Sequence, residues 1–303
     1  VRIAGSSGSS TRHRSLLVLL ILTWAISWPM IKVGVSVVPP LWYACFRYVI
    51  AAVCLFALVA LRRELVLPPR SDWALIAVSG ALQMGAYSAL TGLALTVLAP
   101  GRASVLAFST PIWVVPLAAW ILNERVCRLA LSGVGLGLLG VLAIAAPSLQ
   151  PNGTDQTVAY AMLIGAAGAW AITIVFVRSH RFTASALALA PWQMGLAAML
   201  LTPVAIVFEG PPSAISASGV ASLTYVGPVA TAFAYWAAVE AGRHFRASTM
   251  SMALLATPSL GIVISALAIG ETIGPSLVAG VVLIAAGIRL ATLDAPSEPR
   301  GFS

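Results

Sequence analysis

Charge is what this sequence has least of. Only 9% of its 303 residues are Asp, Glu, Lys or Arg, where a soluble domain carries about a quarter. So few charges cannot clothe a water-facing globule, and 60% of the residues are hydrophobic. A surface facing lipid resolves the shortage. Cysteine is scarce as well: Cys45, Cys54 and Cys127 form no Cys-x-x-Cys pair, which excludes a disulfide framework or a thiolate zinc site. The histidines, His13, His180 and His244, are far apart in sequence, so no metal cluster and no cofactor is expected. Acids are absent from the middle of every apolar run. Proton- and cation-coupled carriers keep an ionisable group at depth, so this absence points away from an obligatory proton step. Glu240 and the pair Glu124 and Glu271 remain as coupling candidates, with helix-end charges or partners of nearby Arg as their simpler roles. No mid-run Ser/His pair, paired Asp or metal cluster suggests an intramembrane enzyme. Gly5-Ser6-Ser7-Gly8 formally resembles a membrane serine-protease motif but lies in a polar tail.

What is present is a series of apolar runs, each near the roughly 20 residues needed to cross a ~30 Å hydrocarbon core. They fall at about 15–37, 41–61, 73–96, 102–122, 128–146, 157–177, 185–208, 216–241, 247–269 and 274–293. Pro, Gly or charge marks the connections between them. The first run is too long for a signal-peptide core and reads as a retained span. The expected fold is an all-α membrane protein of ten transmembrane helices. Its expected parts are a disordered tail (1–14), a first five-span repeat (15–146), a connecting loop (147–156), a second five-span repeat (157–293) and a C-terminal tail (294–303).

The net charge of +8 would suggest nucleic acid in a soluble protein. Here the basic residues sit between apolar runs, where they set topology, and no nucleic-acid partner is expected. With both termini cytoplasmic, all of the 17 basic residues but Lys32, Arg47 and Arg102 fall on the inner side. This charge bias sets the orientation; the expected location is the plasma membrane, in a bacterium the inner membrane. Lys32 and Arg47 lie near the outer ends of runs. Snorkelling to the surface is the expected behaviour of both, with capture of a substrate carboxylate the alternative for Arg47.

The second half echoes the first. Thr110-Pro111 is followed at fixed spacings by Glu124, Gly133 and Gly140; Thr257-Pro258 is followed at the same spacings by Glu271, Gly280 and Gly287. Trp24-Ala25-Ile26-Ser27 is matched by Trp170-Ala171-Ile172-Thr173, Tyr87 by Tyr235, and Arg102-Ala103-Ser104 by Arg246-Ala247-Ser248. A five-span unit is odd, so its second copy enters the membrane from the opposite side. Such inverted repeats give transporters two related conformations, open inward or outward.

The paired motif of proline, twelve residues, glutamate and spaced glycines resembles the EamA-type branch of the drug/metabolite transporter superfamily, over roughly residues 15–293. Within it the chain is similar to YddG-type exporters of aromatic amino acids. The resemblance implies two inverted five-helix repeats around a central cavity, with alternating access and export of aromatic and other neutral amino acids. Carriers of sugar phosphates or nucleotide sugars in the same superfamily, and a non-transporting membrane scaffold, are the alternatives.

A substrate site at mid-depth should draw on the polar and aromatic residues there: Trp24, Trp28, Gln83, Tyr87, Phe108, Trp170, Gln193 and Tyr235. Aromatic rings offer flat faces, and Tyr and Trp add one hydrogen bond. Gln83 and Gln193 face either the cavity or a neighbouring helix, because an unpaired amide in hydrocarbon is costly. Pro111 and Pro258, matched by the repeat, are the expected hinges. Aromatics near run ends, such as Trp42, Tyr43 and Trp73, read as interfacial anchors. Gly133-x-x-x-Gly137 marks a close helix contact, either a homodimer face or the packing between halves. The expected partners are a small-molecule substrate and the lipid bilayer.

Overall fold

The computed structural model describes residues 7–123, 128–145, 154–180, 182–245, 250, 254 and 256–292. These residues are helical with short connections, and no strand occurs among them. The helices are α1 (Ser7–Val35), α2 (Pro40–Leu61), α3 (Arg70–Val97), α4 (Pro100–Ile121), α5 (Arg128–Ala145), α6 (Thr154–Ser179), α7 (Ala186–Glu209), α8 (217–244), α9 (Ala256–Ile269) and α10 (Pro275–Thr292). Helices satisfy every backbone group within the segment, which is why they suit a medium without water. The first seven are long and apolar enough to cross a membrane. In its described part α9 is shorter, as is the apolar stretch of α10. Large side chains such as Val53, Leu139, Met199, Val207, Phe208 and Leu267 point outward, as a lipid-facing surface requires.

α1 begins earlier than the apolar run that nucleates it. Residues 7–14, expected in the tail, are its first turns, since no proline and no glycine beyond Gly8 stops propagation backward.

Three structural features repeat between the halves. The backbone stops in the left-handed region at four described residues: Arg63, Asn123, Gly210 and Gly270. Each ends a helix, as such residues commonly do. Arg63 is as far from Gly210 in sequence, and Asn123 from Gly270, as Pro111 is from Pro258. The second feature is a widened π turn inside α3 (Ser79–Ala86) and another inside α8 (Val226–Phe233), again at matching positions. Pro228 is not their common cause, because Ala81 stands at its place in α3. A glycine is common to both. A Cβ on Gly80 would meet the Gln193 carbonyl of α7 at 2.8 Å, and one on Gly227 would meet Ile50 of α2 at 2.7 Å.

The third feature joins the halves. α5 and α10 pack backbone to backbone through their glycines. A Cβ on Gly287 would sit 2.6 Å from the Gly133 carbonyl and the Gly137 nitrogen, and one on Gly140 would sit 2.8 Å from the Gly280 carbonyl. The Gly133-x-x-x-Gly137 stripe is therefore used within the chain and is not left over as a dimer face.

Candidate functional site

The π turns matter because they aim side chains inward. α1, α2, α3, α4, α6, α7 and α8 enclose a cavity of about 350 Å³, within the range of small-ligand sites. The α3 turn presents Gln83 and Met84 to it, and the α8 turn presents Ala230 and Thr231 at the matching positions. π turns of this kind are common at functional sites.

The structure brings together Trp24, Trp28, Gln83, Tyr87, Phe108, Trp170 and Tyr235 on the cavity wall. The rings of Trp24, Trp28, Tyr87, Phe108 and Trp170 form one connected set. Trp170 stands edge-on to Tyr87 at 5.4 Å and to Phe108 at 6.0 Å; Phe108 is 6.5 Å from Trp24 and 6.3 Å from Trp28. Edge-to-face pairs of this kind are individually worth about 0.5–1.5 kcal/mol beyond burial. Gln193 is not on the wall. It is buried where α7 meets the α3 π turn, beside Gly80.

Pro111 lies just past a break in α4 at Phe108–Ser109. A proline nitrogen cannot donate, so it leaves the Ala107 carbonyl without its helical partner. The Thr110 hydroxyl donates to that carbonyl instead, at 2.9 Å. At the matching place before Pro258, the Thr257 hydroxyl is fully buried with no hydrogen-bond partner among the described residues.

Arg47 departs from its expected place at the surface. It does not snorkel. Its guanidinium lines the cavity, donates from Nε to the Thr231 hydroxyl at 2.7 Å and lies 5.4 Å from the centre of the Tyr48 ring. The Thr231 hydroxyl donates in turn to the Val226 carbonyl at 2.7 Å. Arg47 is the one charged side chain among the lining residues, and no carboxylate lies within ion-pair distance of it among the described residues. An arginine inside an apolar run was the available signal. Its contact with Thr231, across the repeat, was not legible locally. Ser27, Thr91, Tyr48 and Met194 also line the wall and were not anticipated.

Lys32 has a fixed partner at a helix end. Its ammonium donates to the Leu95 and Thr96 carbonyls at 2.6 and 3.2 Å, capping the C-terminal end of α3, where a cation is favoured. Trp42 and Tyr43 are buried against neighbouring helices. Trp42 donates to the Gly210 carbonyl at 2.9 Å, and the Tyr43 hydroxyl meets that of Ser222 at 2.7 Å. Trp73 is exposed.

Two of the acids cap helix starts on other elements, and a third holds a connection. Glu271 accepts from the Gly101 and Arg102 amides at the start of α4, at 2.8 and 3.2 Å. Glu209 accepts from Leu41 and Trp42 at the start of α2, at 2.9 and 3.0 Å. Asp72 accepts from Thr183 and Ala184 just before α7. At Glu271 and Glu209 the carboxylate meets both the orphan amides and the positive end of the helix dipole, whereas the start of α7 is capped by Ser185. The partner of Glu271 is thus backbone, not an arginine side chain. Glu124 lies outside the described residues. Glu240 is paired with Arg243 at 3.5 Å. The histidines are not all scattered in space: the rings of His13 and His244 stack at 3.6 Å.

A lipid-facing helical bundle around an aromatic cavity with one unneutralised cation has the form of a membrane carrier for small solutes. The sequence profile described as the EamA-like transporter family matches the chain twice, over residues 14–146 and 157–293. The chain belongs to that family, within the drug/metabolite transporter superfamily, and is a transporter, not an enzyme. An uncharacterised transporter of Bacillus subtilis is 26% identical, covering 91% of this chain and 95% of its own. A probable amino-acid metabolite efflux pump of Salmonella typhimurium is 27% identical, covering 93% and 95%. A probable terminal-alkyne amino-acid exporter of Streptantibioticus cattleyicolor is 27% identical, covering 90% and 91%. One solved crystal structure superposes with a TM-score of 0.64 at 21% identity, covering 93% of this chain and 98% of that one, a likeness of fold.

Proposed function

We propose that the cavity binds aromatic and other neutral amino acids by their carboxylate, and that the protein exports them across the bacterial inner membrane. One observation carries this reading: a guanidinium with no acid beside it, set in an aromatic box of amino-acid size. Thr231 holds Arg47 by Nε, which leaves its terminal nitrogens for a bidentate carboxylate. Trp24, Trp28, Phe108 and Trp170 supply apolar and π surface for a side chain, while Gln83, Tyr87 and Tyr235 supply polar contacts. No lining residue is acidic, so the wall meets an ammonium group only with π faces and neutral dipoles. That disfavours substrates with a second positive charge. A phosphate dianion would want more than one cation, and Lys32 is committed to the end of α3. The names of the Salmonella and Streptantibioticus relatives point the same way.

Transport then proceeds by alternating access. Ten spans, as two inverted sets of five, rock about the cavity, with the breaks at Pro111 and Pro258 as hinges and both termini in the cytoplasm. The absence of an acid at the cavity supports a cycle without an obligatory proton step.

The test is proteoliposome flux of radiolabelled tryptophan, threonine, tryptamine and a sugar phosphate. Wild type should carry the two amino acids saturably and discriminate against tryptamine, which lacks the carboxylate. Arg47→Gln should raise KM for tryptophan about 10- to 100-fold, the worth of a charge-assisted hydrogen bond, with Arg47→Lys between the two. Equal flux of tryptophan and tryptamine, or an Arg47→Gln variant with unchanged KM, sinks the carboxylate reading.

A further inference from the structure

We propose that His13, Glu240 and His244 form a binding site for a divalent transition-metal ion of the zinc class, bridging the start of α1 to the end of α8. The donor atoms of these three side chains all lie within 4.8 Å of one another. Two imidazoles and a carboxylate are a donor set that zinc favours.

The local sequence explains the meeting. On α1, His13 continues the face that buries Leu17, Leu20 and Ile21. On α8, His244 continues the face that buries Ala234, Ala237 and Ala241. The two faces pack on each other, so each apolar contact line ends in a histidine, and the rings stack at 3.6 Å. Glu240 stands one turn before His244, the i, i+4 spacing that puts two ligands on one helix face.

The tautomer is suited to a metal. The Nδ1 atom of His244 lies 2.9 Å from the Glu240 carbonyl. A carbonyl only accepts, so Nδ1 carries the proton and Nε2 keeps its lone pair. Metal-bound histidines are oriented by this kind of bond through the other nitrogen. Tetrahedral zinc with bonds of 2.0–2.1 Å needs its donors about 3.3 Å apart, so the rings must fan open slightly and the side chains close in. Arg243 now pairs with Glu240; it is half-exposed and yields the carboxylate by turning to water. Three protein ligands leave the fourth position for water. An ion here would hold the α1 and α8 ends together, a brake on any motion that parts them.

His180 provides an internal control. Its Nδ1 also meets the carbonyl one turn back, at 3.0 Å, and its ring stacks on Phe176, yet no second imidazole joins it among the described residues.

The experiment is titration of the untagged full-length protein in detergent with zinc chloride, read by calorimetry and by a competing zinc dye. Wild type should take up one ion per chain, and His180→Ala should match it. His13→Ala and His244→Ala should each weaken binding at least about tenfold, and Glu240→Gln should weaken it while preserving shape. The size-exclusion profile of each variant establishes that it is folded. Absence of saturable binding in wild type, or equal binding in folded His13→Ala, His244→Ala and Glu240→Gln, overturns the proposal.

Discussion

Gly101 has no room for a side chain, although its backbone lies in an ordinary helical conformation. A Cβ there would sit 2.7 and 2.9 Å from the Glu271 carboxylate oxygens. Gly101→Ala must therefore push that carboxylate off the start of α4. Its expected cost is about 1–3 kcal/mol, typical of overpacking at a tight site, read as a lowered thermal midpoint in detergent. Glu271→Gln keeps the shape, loses the charge at the helix dipole, and should cost about 1 kcal/mol. Thr110→Val, close in shape, strips the donor from the Ala107 carbonyl that Pro111 leaves free. The same midpoint measurement should show a loss of about 1 kcal/mol or somewhat more. These positions were only partly legible. Pro111 and Glu271 stood out by the repeat, but a carboxylate finding its amides on another helix, 170 residues away, leaves no local trace.

At the scale of elements, the α5–α10 seam and the π turns behave differently under substitution. The seam has backbone against backbone, so Gly287→Leu or Gly140→Val should part the two helices. A loss of about 3 kcal/mol or more, or failure to recover folded protein, is expected, measured by detergent melts or yield. Gly135, on the same helix, has nothing within 4 Å of an added Cβ, and Gly135→Ala should be neutral or slightly stabilising. The seam was half-visible in sequence: the glycine spacing showed a close contact but not which helix made it. The π turns were not visible at all, because a widened turn has no residue signature of its own. Each turn carries a glycine, Gly80 or Gly227, pressed against α7 or α2, a contact that exists only in the tertiary structure.

For the whole molecule, an uncoupled carrier should equilibrate its substrate without concentrating it. Proteoliposomes with an imposed pH gradient should show the same final tryptophan distribution as those without. Uphill accumulation driven by the gradient, lost in Glu240→Gln or Glu271→Gln, would overturn the uncoupled reading and point to those acids. The proposed topology has its own check: single cysteines placed in the two tails of a cysteine-free variant should be labelled from the same side of the membrane.

Composition and periodicity were enough to determine that this chain is a bundle of apolar helices in lipid. Both are properties of the chain summed over long stretches, and burial in hydrocarbon punishes every misplaced charge. The repeat was legible for the same reason, since spacing survives in one dimension. The aromatic set around the cavity could also be anticipated, because few large polar-tipped residues sit at mid-depth. What only the tertiary structure decided is where isolated polar groups find partners. Arg47 turned to Thr231 in place of the surface, Lys32 to the carbonyls of α3, and Glu271 to the amides of α4. Gln193 turned away from the cavity, and His13 met His244. Each outcome is a choice between two physically acceptable partners, and a low-dielectric medium makes the choice strict by penalising any group left without one. Which partner lies within reach depends on how two halves of the chain pack, and that information is not present at the residue itself.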